Sequence, residues 1–325
     1  MTNLKGASDD SPIDSVALLR DVTVFYGEVV GLSRVTLGLG PGITGLVGPN
    51  GSGKTTLMRV LTGLILPREG KTTVFGEEPF FSAAVRSKIT LVPAVEAFYE
   101  NVSGLKNLEI AFLARGCSVS EAKTNAASAL ELVGLTADGA RKVETWSRGM
   151  RQRLKLGLAL VADAGVVLLD EPFLGVDPPN RQRLRQHIEW LGNHGRTVLI
   201  TSHVLHEIES LTDRVGILAH GRLLGMGHIG SLLSQLRDRY PHRIELEVDN
   251  ARKLAKALIG LPHVRELKVA GDHVLELLTE SPDQAYRDLA TVVLSSGALI
   301  YRVVARDNSL EALFSHVTAA GAQRL

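Results

Sequence analysis

The sequence predicts an α/β core with a mostly parallel sheet, followed by a smaller α+β domain. Three observations support this prediction. Strand-like apolar runs alternate with helical patterns from about residue 15 to residue 225, as in a parallel sheet covered by helices. A glycine-rich segment follows one of these runs and leads into a helix. Near residue 241 the pattern changes to strand, helix, two strands, helix and strand, which indicates a separate module.

The predicted boundaries follow these changes of pattern. Residues 1–14 lack an apolar stretch and are predicted to be a disordered tail. The first domain is predicted over residues 15–225, a linker helix over 226–240 and an accessory or regulatory domain over 241–325. In the first domain we expect a β-rich start, a helix over 54–61 and strands at residues 16–19, 43–47, 90–92, 166–170, 197–201 and 215–219.

Composition limits the class of protein. The chain has 325 residues and a formal charge of +1, so it offers no overall attraction to nucleic acid, and no nucleic acid partner is expected. Its single cysteine, Cys117, excludes an internal disulfide and fits a reducing cytosol. The most apolar stretch, residues 154–169, contains Lys155 and Asp163 and is shorter than the roughly 20 residues that span a bilayer. Any membrane-spanning partner is therefore expected to be a separate chain.

The glycine-rich segment fits the phosphate-binding pattern G-x-x-x-x-G-K-[ST] at every fixed position. Its glycines let backbone N–H groups turn inward around the phosphates. The helix N-terminus that follows carries a partial positive charge, which stabilises the negative phosphates. Lys54 supplies the formal charge, and Thr55 offers its hydroxyl to Mg²⁺. The predicted nucleotide-binding residues of this loop are Gly48, Pro49, Asn50, Gly51, Ser52, Gly53, Lys54, Thr55 and Thr56.

A second motif is an apolar strand that ends in two carboxylates, Asp170 and Glu171. Open α/β sheets bind ligands at the carboxyl ends of their strands. We expect Asp170 to hold Mg²⁺ through water, and Glu171 to accept a proton from the water that attacks the γ-phosphate. A strand that merely runs into an acidic turn is the alternative, and the phosphate-binding loop makes it the weaker one.

These motifs resemble the nucleotide-binding subunit of ABC transporters over about two thirds of the chain. The most diagnostic match is the segment Trp146-Ser147-Arg148-Gly149-Met150, which resembles the family's signature before the acidic strand. The resemblance implies a P-loop NTPase core of the ABC ATPase type, with a helical subdomain, and ATP as the nucleotide. It also implies that the signature residues, with Ser147 and the Gly149 N–H at a helix start, bind the γ-phosphate of ATP held by a second subunit.

Three further residues match the family in order. Tyr26 resembles the aromatic residue that stacks on adenine, and Asp177 resembles the loop carboxylate that links the two composite sites. His203 resembles the histidine that contacts the γ-phosphate and holds the attacking water. The resemblance therefore implies catalytic roles for Glu171, Asp177 and His203.

Two positions depart from the family pattern. Ala94 stands where the family usually carries a glutamine that contacts Mg²⁺ and touches the membrane partner. Alanine offers no side-chain oxygen, so either Glu96 or water substitutes, or hydrolysis is slow or is coupled differently. Arg148 replaces a usual glycine or lysine, which is a milder change because Ser147 and Gly149 remain.

The second domain has the β-α-β-β-α-β order of ferredoxin-like domains. We predict strands at residues 243–248, 264–270, 273–278 and 299–304, a helix capped by Asn250 that runs to residue 261, and a helix over 282–295. Residues 309–314 resemble the tail of type-2 exporter ATPases.

The resemblance implies a motor subunit at the cytoplasmic face of the membrane. Two copies, or one copy and a homologue, would close on two ATP molecules and drive a separate transmembrane permease, with export favoured. The alternatives are an ABC ATPase that acts as a mechanical switch without transport, a nucleotide-gated subunit with weak hydrolysis, and a P-loop kinase. A single set of motifs without heptads opposes the first alternative, and the signature with Asp177 and His203 opposes the kinase.

Overall fold

A computed structural model describes residues 15–95, 98–232 and 242–305 of the chain. It contains two compact units, Met1–Ile229 and Gly230–Leu325, which are described one at a time. The boundary predicted at residue 225 falls inside a strand, Arg222–His228, that pairs with the strand before it. Most of the predicted linker helix, the tail over residues 1–14 and the exporter-like tail over 309–314 lie outside the described residues.

The first unit contains strands in two sheets and seven α-helices among its described residues. The strands are β1 (Ala17–Tyr26), β2 (Val29–Leu39), β3 (Gly42–Val47), β4 (Glu69–Val74), β5 (Ile89–Val92), β6 (Val166–Asp170), β7 (Thr197–Ser202), β8 (Arg214–Ala219) and β9 (Arg222–His228). The helices are α1 (Lys54–Leu61), α2 (Ala83–Ser87), α3 (Gly104–Ala114), α4 (Val119–Leu132), α5 (Arg148–Val161), α6 (Pro178–Asn193) and α7 (Leu205–Glu209). Short 3₁₀ turns lie at Thr136–Asp138 and Val143–Thr145.

The β-rich start forms a separate three-stranded antiparallel sheet of order β2-β1-β4. The strand predicted at residues 16–19 overlaps the start of β1 in this sheet. Apolar residues alternate along β1, and Ala17, Leu19 and Val22 are fully buried in the same cluster as Leu57 and Leu61 of α1. Burial of these side chains packs the small sheet against the helix that begins at Lys54.

The main sheet has six strands in the order β5-β6-β7-β3-β8-β9. The first five are parallel, as predicted, and their bounds differ from the predicted bounds by at most one residue. β9 is antiparallel at the edge and was not predicted, because its two-glycine sequence, RLLGMGH, gives a weak strand pattern. β6 is buried along its whole length, which explains its continuous apolar run.

Helices α3, α4 and α5 pack against one another beside this sheet. α4 begins with a capping box in which the Ser118 side chain and Glu121 satisfy each other's backbone N–H groups. The buried indole of Trp146 lies against Gly104 at the start of α3, where a Cβ atom would be 2.2 Å from indole Cη2. This contact fixes the residue that directly precedes Ser147.

The second unit has the predicted β-α-β-β-α-β order. Its elements are β10 (His242–Val248), α8 (Ala251–Leu258), β11 (Val264–Ala270), β12 (Val274–Thr279), α9 (Pro282–Ser296) and β13 (Ile300–Ala305), and its antiparallel sheet has the order β11-β12-β10-β13. The Asn250 side chain caps α8 as predicted. α8 ends at Leu258 rather than at residue 261, because Gly260 and the residue before Pro262 disfavour helix. In the parts of the chain that the structure describes, no helix is long and apolar enough to cross a membrane.

Candidate functional site: a phosphate-binding loop beside two carboxylates

The candidate site lies where three neighbouring parallel strands end. β7 lies between β3 and β6, and Thr201 pairs with Leu46 on one side and with Asp170 on the other. The phosphate-binding loop follows β3, the two carboxylates end β6, and His203 follows β7. The strand order therefore places all three motifs at one edge of the sheet, as expected for an open α/β fold.

The phosphate-binding loop adopts a conformation that requires its glycines. Gly51 and Gly53 have φ values of 78° and 108°, in the left-handed region that favours glycine. A Cβ atom at Gly48 would lie 2.4 Å from the Leu218 carbonyl oxygen. Lys54 donates to the carbonyl oxygens of Gly48 at 2.6 Å and Pro49 at 3.2 Å, so its ammonium group lies inside the loop.

Residues outside the motif, Gly31 and Gly221, also contact the phosphate-binding loop. The N–H of Gly221, in the turn between β8 and β9, donates to the Ser52 carbonyl oxygen at 2.9 Å. A Cβ atom at Gly53 would lie 2.6 Å from the Gly31 carbonyl oxygen. The sequence patterns do not predict this supporting role of Gly31 and Gly221, although a glycine after a strand is a usable signal at residue 221.

The carboxylates are joined to the loop by short contacts. Thr55 Oγ1 donates to Asp170 Oδ2 at 2.8 Å, and Asp170 is only 3% exposed. Lys54 Nζ lies 3.5 Å from Glu171 Oε1, and His203 Nδ1 lies 2.8 Å from Glu171 Oε2. The structure thus brings together five residues that the sequence placed in one site: Lys54, Thr55, Asp170, Glu171 and His203.

The site fits a nucleoside triphosphate with a divalent cation. Ser52 Oγ is buried without a hydrogen-bond partner, and Glu171 Oε1 is buried without a hydrogen bond. The loop N–H groups at the start of α1 and the ammonium group of Lys54 suit phosphate oxygens. The Thr55 hydroxyl and the Asp170 carboxylate are hard oxygen donors of the kind that Mg²⁺ prefers.

The signature residues occupy the start of α5. The Ser147 side chain accepts the N–H of Met150 at 3.3 Å, and Arg148 is exposed. A Cβ atom at Gly149 would lie 3.8 Å from Asn180 Nδ2 and 3.9 Å from Asp177 Oδ2. Among the described residues, no hydrogen bond or ion pair joins Ser147, Gly149 or Asp177 to Lys54, Asp170 or Glu171.

Asp177 begins α6 as its N-cap. Its carboxylate accepts the backbone N–H of Asn180 at 2.9 Å and the Asn180 side-chain amide at 2.9 Å. These hydrogen bonds lower the pKa of the Asp177 carboxyl, because they stabilise its charged form. Asp177 is therefore an ionised group at the surface beside the signature.

Tyr26 ends β1 close to the phosphate-binding helix. A Cβ atom at Gly31 would lie 2.9 Å from Tyr26 Cε2, and the phenolic oxygen lies 3.4 Å from Thr56 Oγ1. The residue is 43% exposed, so part of the ring is available to a planar base. Tyr26 thus lies beside the helix that carries Lys54 and Thr55.

Ala94 lies in the loop after β5. Its carbonyl oxygen and that of Pro93 accept hydrogen bonds from Lys155 Nζ at 3.3 and 2.7 Å. Lys155 belongs to α5 and is 6% exposed. Glu96, the predicted substitute for a glutamine, lies outside the described residues.

Comparisons with known proteins identify the family of this chain. The ABC transporter family model matches residues 32–174. The linearmycin resistance ATP-binding protein LnrL of Bacillus subtilis is 32% identical over 90% of this chain and 95% of its own length. The bacitracin transport ATP-binding protein BcrA of Enterococcus faecalis is 31% identical over 93% and 96%. A solved structure of an ATP binding subunit of an ABC transporter is 25% identical, with a TM-score of 0.62 over 68% of this chain and 93% of that chain. The chain therefore belongs to the ABC transporter family, in which it is an ATP-binding subunit with ATPase activity.

Proposed function

We propose that this ATPase is the motor subunit of a membrane exporter. Two copies, or one copy and a homologue, close on two ATP molecules and drive a separate transmembrane permease from the cytoplasmic face of the membrane. The observation that carries the proposal is that Gly149 lies beside Asp177 and Asn180, while no hydrogen bond or ion pair among the described residues joins Ser147 or Gly149 to Lys54. Ser147 and the Gly149 N–H of a second subunit would then contact the γ-phosphate that Lys54 holds.

Each residue of the site has a role in this proposal. Tyr26 stacks on adenine, and the loop N–H groups with Lys54 bind the β- and γ-phosphates. Thr55 and Asp170 hold Mg²⁺, which neutralises phosphate charge when bound. Glu171 accepts the proton of the attacking water, and His203 orients the Glu171 carboxylate through its contact with Oε2. Asp177, ionised at the helix start, links the two composite sites.

Export is favoured because the relatives that match over nearly the whole chain are named for antibiotic resistance or transport. Both matches cover residues beyond the ATPase core, since they span 90% and 93% of the chain. Ala94 favours one second candidate, a nucleotide-gated subunit with weak hydrolysis. The effect of the membrane protein on ATP turnover separates the motor from the gated subunit.

The test compares wild type with Glu171→Gln. We expect this variant to lose ATP turnover by roughly a hundredfold or more, because the general base is removed while charge at the phosphates is kept. It should also form an ATP-dependent dimer, measured by size exclusion with light scattering in Mg²⁺-ATP. Turnover by wild type alone and with its co-purified membrane protein distinguishes a motor from a gated subunit, because only a motor is accelerated by its permease.

A matched pair of serines controls for helix capping. Ser147 and Ser103 both cap helices with nearly identical backbone angles, φ −67° and ψ 159° against φ −65° and ψ 157°. In the Glu171→Gln background, Ser147→Ala should abolish the ATP-dependent dimer, and Ser103→Ala should leave it intact. A Glu171→Gln protein that binds ATP and stays monomeric would contradict the composite-site model.

A further inference from the structure

One buried hydroxyl group contacts both functional carboxylate residues. Thr201 lies near the end of β7, the strand between the phosphate-binding strand β3 and the carboxylate strand β6, and it pairs in register with Asp170. It is fully buried. In the sequence, Thr201 is only the last residue of the strand predicted over residues 197–201, and no motif assigns it a role.

The Thr201 hydroxyl makes one hydrogen bond as donor and one as acceptor. It donates to Asp170 Oδ1 at 2.6 Å, and it accepts the backbone N–H of Glu171 at 3.1 Å. The same N–H also lies 3.2 Å from the Thr201 carbonyl oxygen. Both hydrogen-bonding capacities of this hydroxyl are therefore used by consecutive residues of the site.

The Asp170 carboxylate is held from two sides. Thr201 donates to Oδ1, and Thr55 donates to Oδ2 at 2.8 Å. Two hydroxyl donors on opposite oxygens fix the plane of the carboxylate. Of the two, Thr55 is exposed and is the proposed metal ligand, so Thr201 is the donor that stays in place when Thr55 turns toward Mg²⁺.

The backbone of Glu171 also needs support. Its φ of 49° lies in the left-handed region, which is unfavourable for a residue with a long side chain. The two hydrogen bonds from the Glu171 N–H to Thr201 hold this conformation. The conformation directs the carboxylate to Lys54 and His203.

We infer that Thr201 is a positioning residue for ATP hydrolysis: its hydroxyl group holds the Asp170 carboxylate and the Glu171 backbone in one arrangement. The inference rests on the roles proposed above for Asp170 and Glu171. It predicts that the hydroxyl affects metal use and turnover, and leaves the binding of the nucleotide itself to the phosphate loop.

The test is Thr201→Val, which keeps the shape and removes the hydroxyl. We expect turnover to fall roughly ten- to hundredfold, the range for a buried hydrogen bond to a charged group. A fluorescent ATP analogue in EDTA should bind as tightly as to wild type, because Lys54 and the loop N–H groups are unchanged. The Mg²⁺ concentration that gives half of the metal-dependent fluorescence change should rise.

Two variants separate the hydroxyl from a packing effect. Thr201→Ser keeps the hydroxyl and should retain turnover and Mg²⁺ dependence close to wild type. Thr197→Val removes a hydroxyl from the same face of β7, where Oγ1 is buried without a partner, and should behave as wild type. If Thr201→Val does not fold, Thr201→Ser is compared with Thr201→Cys, whose thiol is a weak donor, and only the serine variant should stay active.

The inference is overturned if Thr201→Val hydrolyses ATP at the wild-type rate with wild-type Mg²⁺ dependence, or if the serine and cysteine variants are equally active. Glu171→Gln is measured in parallel. Full turnover by Glu171→Gln would instead refute the role proposed for Glu171, whatever the Thr201 variants do.

Discussion

At the scale of single residues, the site depends on a few charged groups that are held by neutral ones. Lys54 is 7% exposed and contacts two carbonyl oxygens and the Glu171 carboxylate, so its charge is satisfied before phosphate arrives. The motifs predicted these charged residues because phosphate and metal chemistry requires them. The motifs did not predict Gly31, Gly221 or Thr201, whose roles arise from contacts between distant segments.

His187 gives a residue-scale prediction for stability. It lies on α6, where burial lowers its pKa below the ordinary value of 6.5, and its Nδ1 atom is buried without a partner. As pH falls through about 6.5, the unfolded chain therefore binds a proton at His187 while the folded chain does not. This proton uptake favours the unfolded chain, so the free energy of unfolding decreases below about pH 6.5. Thermal unfolding of His187→Gln should depend less on pH than wild type between about pH 6.5 and pH 5.

Thermal unfolding of wild type and His187→Gln at higher pH is the control. Above about pH 8 His187 is neutral in both the folded and the unfolded chain, so the difference in melting temperature between wild type and His187→Gln should be constant there. Equal pH dependence of the two proteins below pH 6.5 would show that burial of His187 does not affect the proton uptake of unfolding.

At the scale of elements, the residues proposed to act on ATP lie at the ends of helices and strands. Three strand ends form the phosphate site, while two helix starts, those of α5 and α6, carry Ser147 and Asp177. α5 is also connected to the loop after β5 through Lys155, which donates to Pro93 and Ala94. This connection joins the signature helix to the loop in which the family's glutamine is missing.

Lys155→Met tests this connection. The variant keeps the apolar length of the side chain and removes the charged donor, so the loop should lose its hydrogen bonds to α5. We expect faster amide hydrogen exchange in residues 90–95 and a loss of about 1.5–3 kcal/mol in the free energy of unfolding. Nucleotide binding at the phosphate loop should be unchanged.

Lys106→Met is the matched control in the same helical region. The Lys106 side chain is exposed and its ammonium group pairs with Glu109 at the surface, where an ion pair contributes only about 0–1 kcal/mol. Lys106→Met should therefore leave hydrogen exchange in residues 90–95 at the wild-type rate. A Lys155→Met protein with the exchange and stability of wild type would show that Lys155 does not hold the loop.

At the scale of the whole molecule, the chain contains two units with separate cores. One buried cluster includes Leu19, Leu57 and Leu168, and another includes Leu246, Leu254 and Leu277 of the second unit. Every residue proposed to contact nucleotide or metal lies in Met1–Ile229. The proposed ATP site therefore lies within the first unit alone.

A truncated chain of residues 1–229 tests this division. We expect the fragment to fold and to bind a fluorescent ATP analogue as tightly as the full chain, because its core and phosphate loop are intact. Circular dichroism and thermal unfolding check the fold, and a Lys54→Ala version of the fragment is the control for specific binding. A fragment that is unfolded, or folded without nucleotide binding, would show that the ATP site depends on residues after 229.

The sequence by itself determined the parallel sheet, the phosphate-binding loop, the acidic strand end and the element order of the second unit. Local patterns encode these features, since strand burial gives apolar runs and phosphate binding requires glycines and a lysine at fixed spacing. It did not determine β9 or the end of the first unit near Ile229, because a glycine-containing edge strand has a weak pattern. Only the tertiary structure placed β7 between β3 and β6 and so brought Thr201 against Asp170 and Glu171. The order of strands in a sheet depends on packing between segments far apart in the chain, and no local pattern records it.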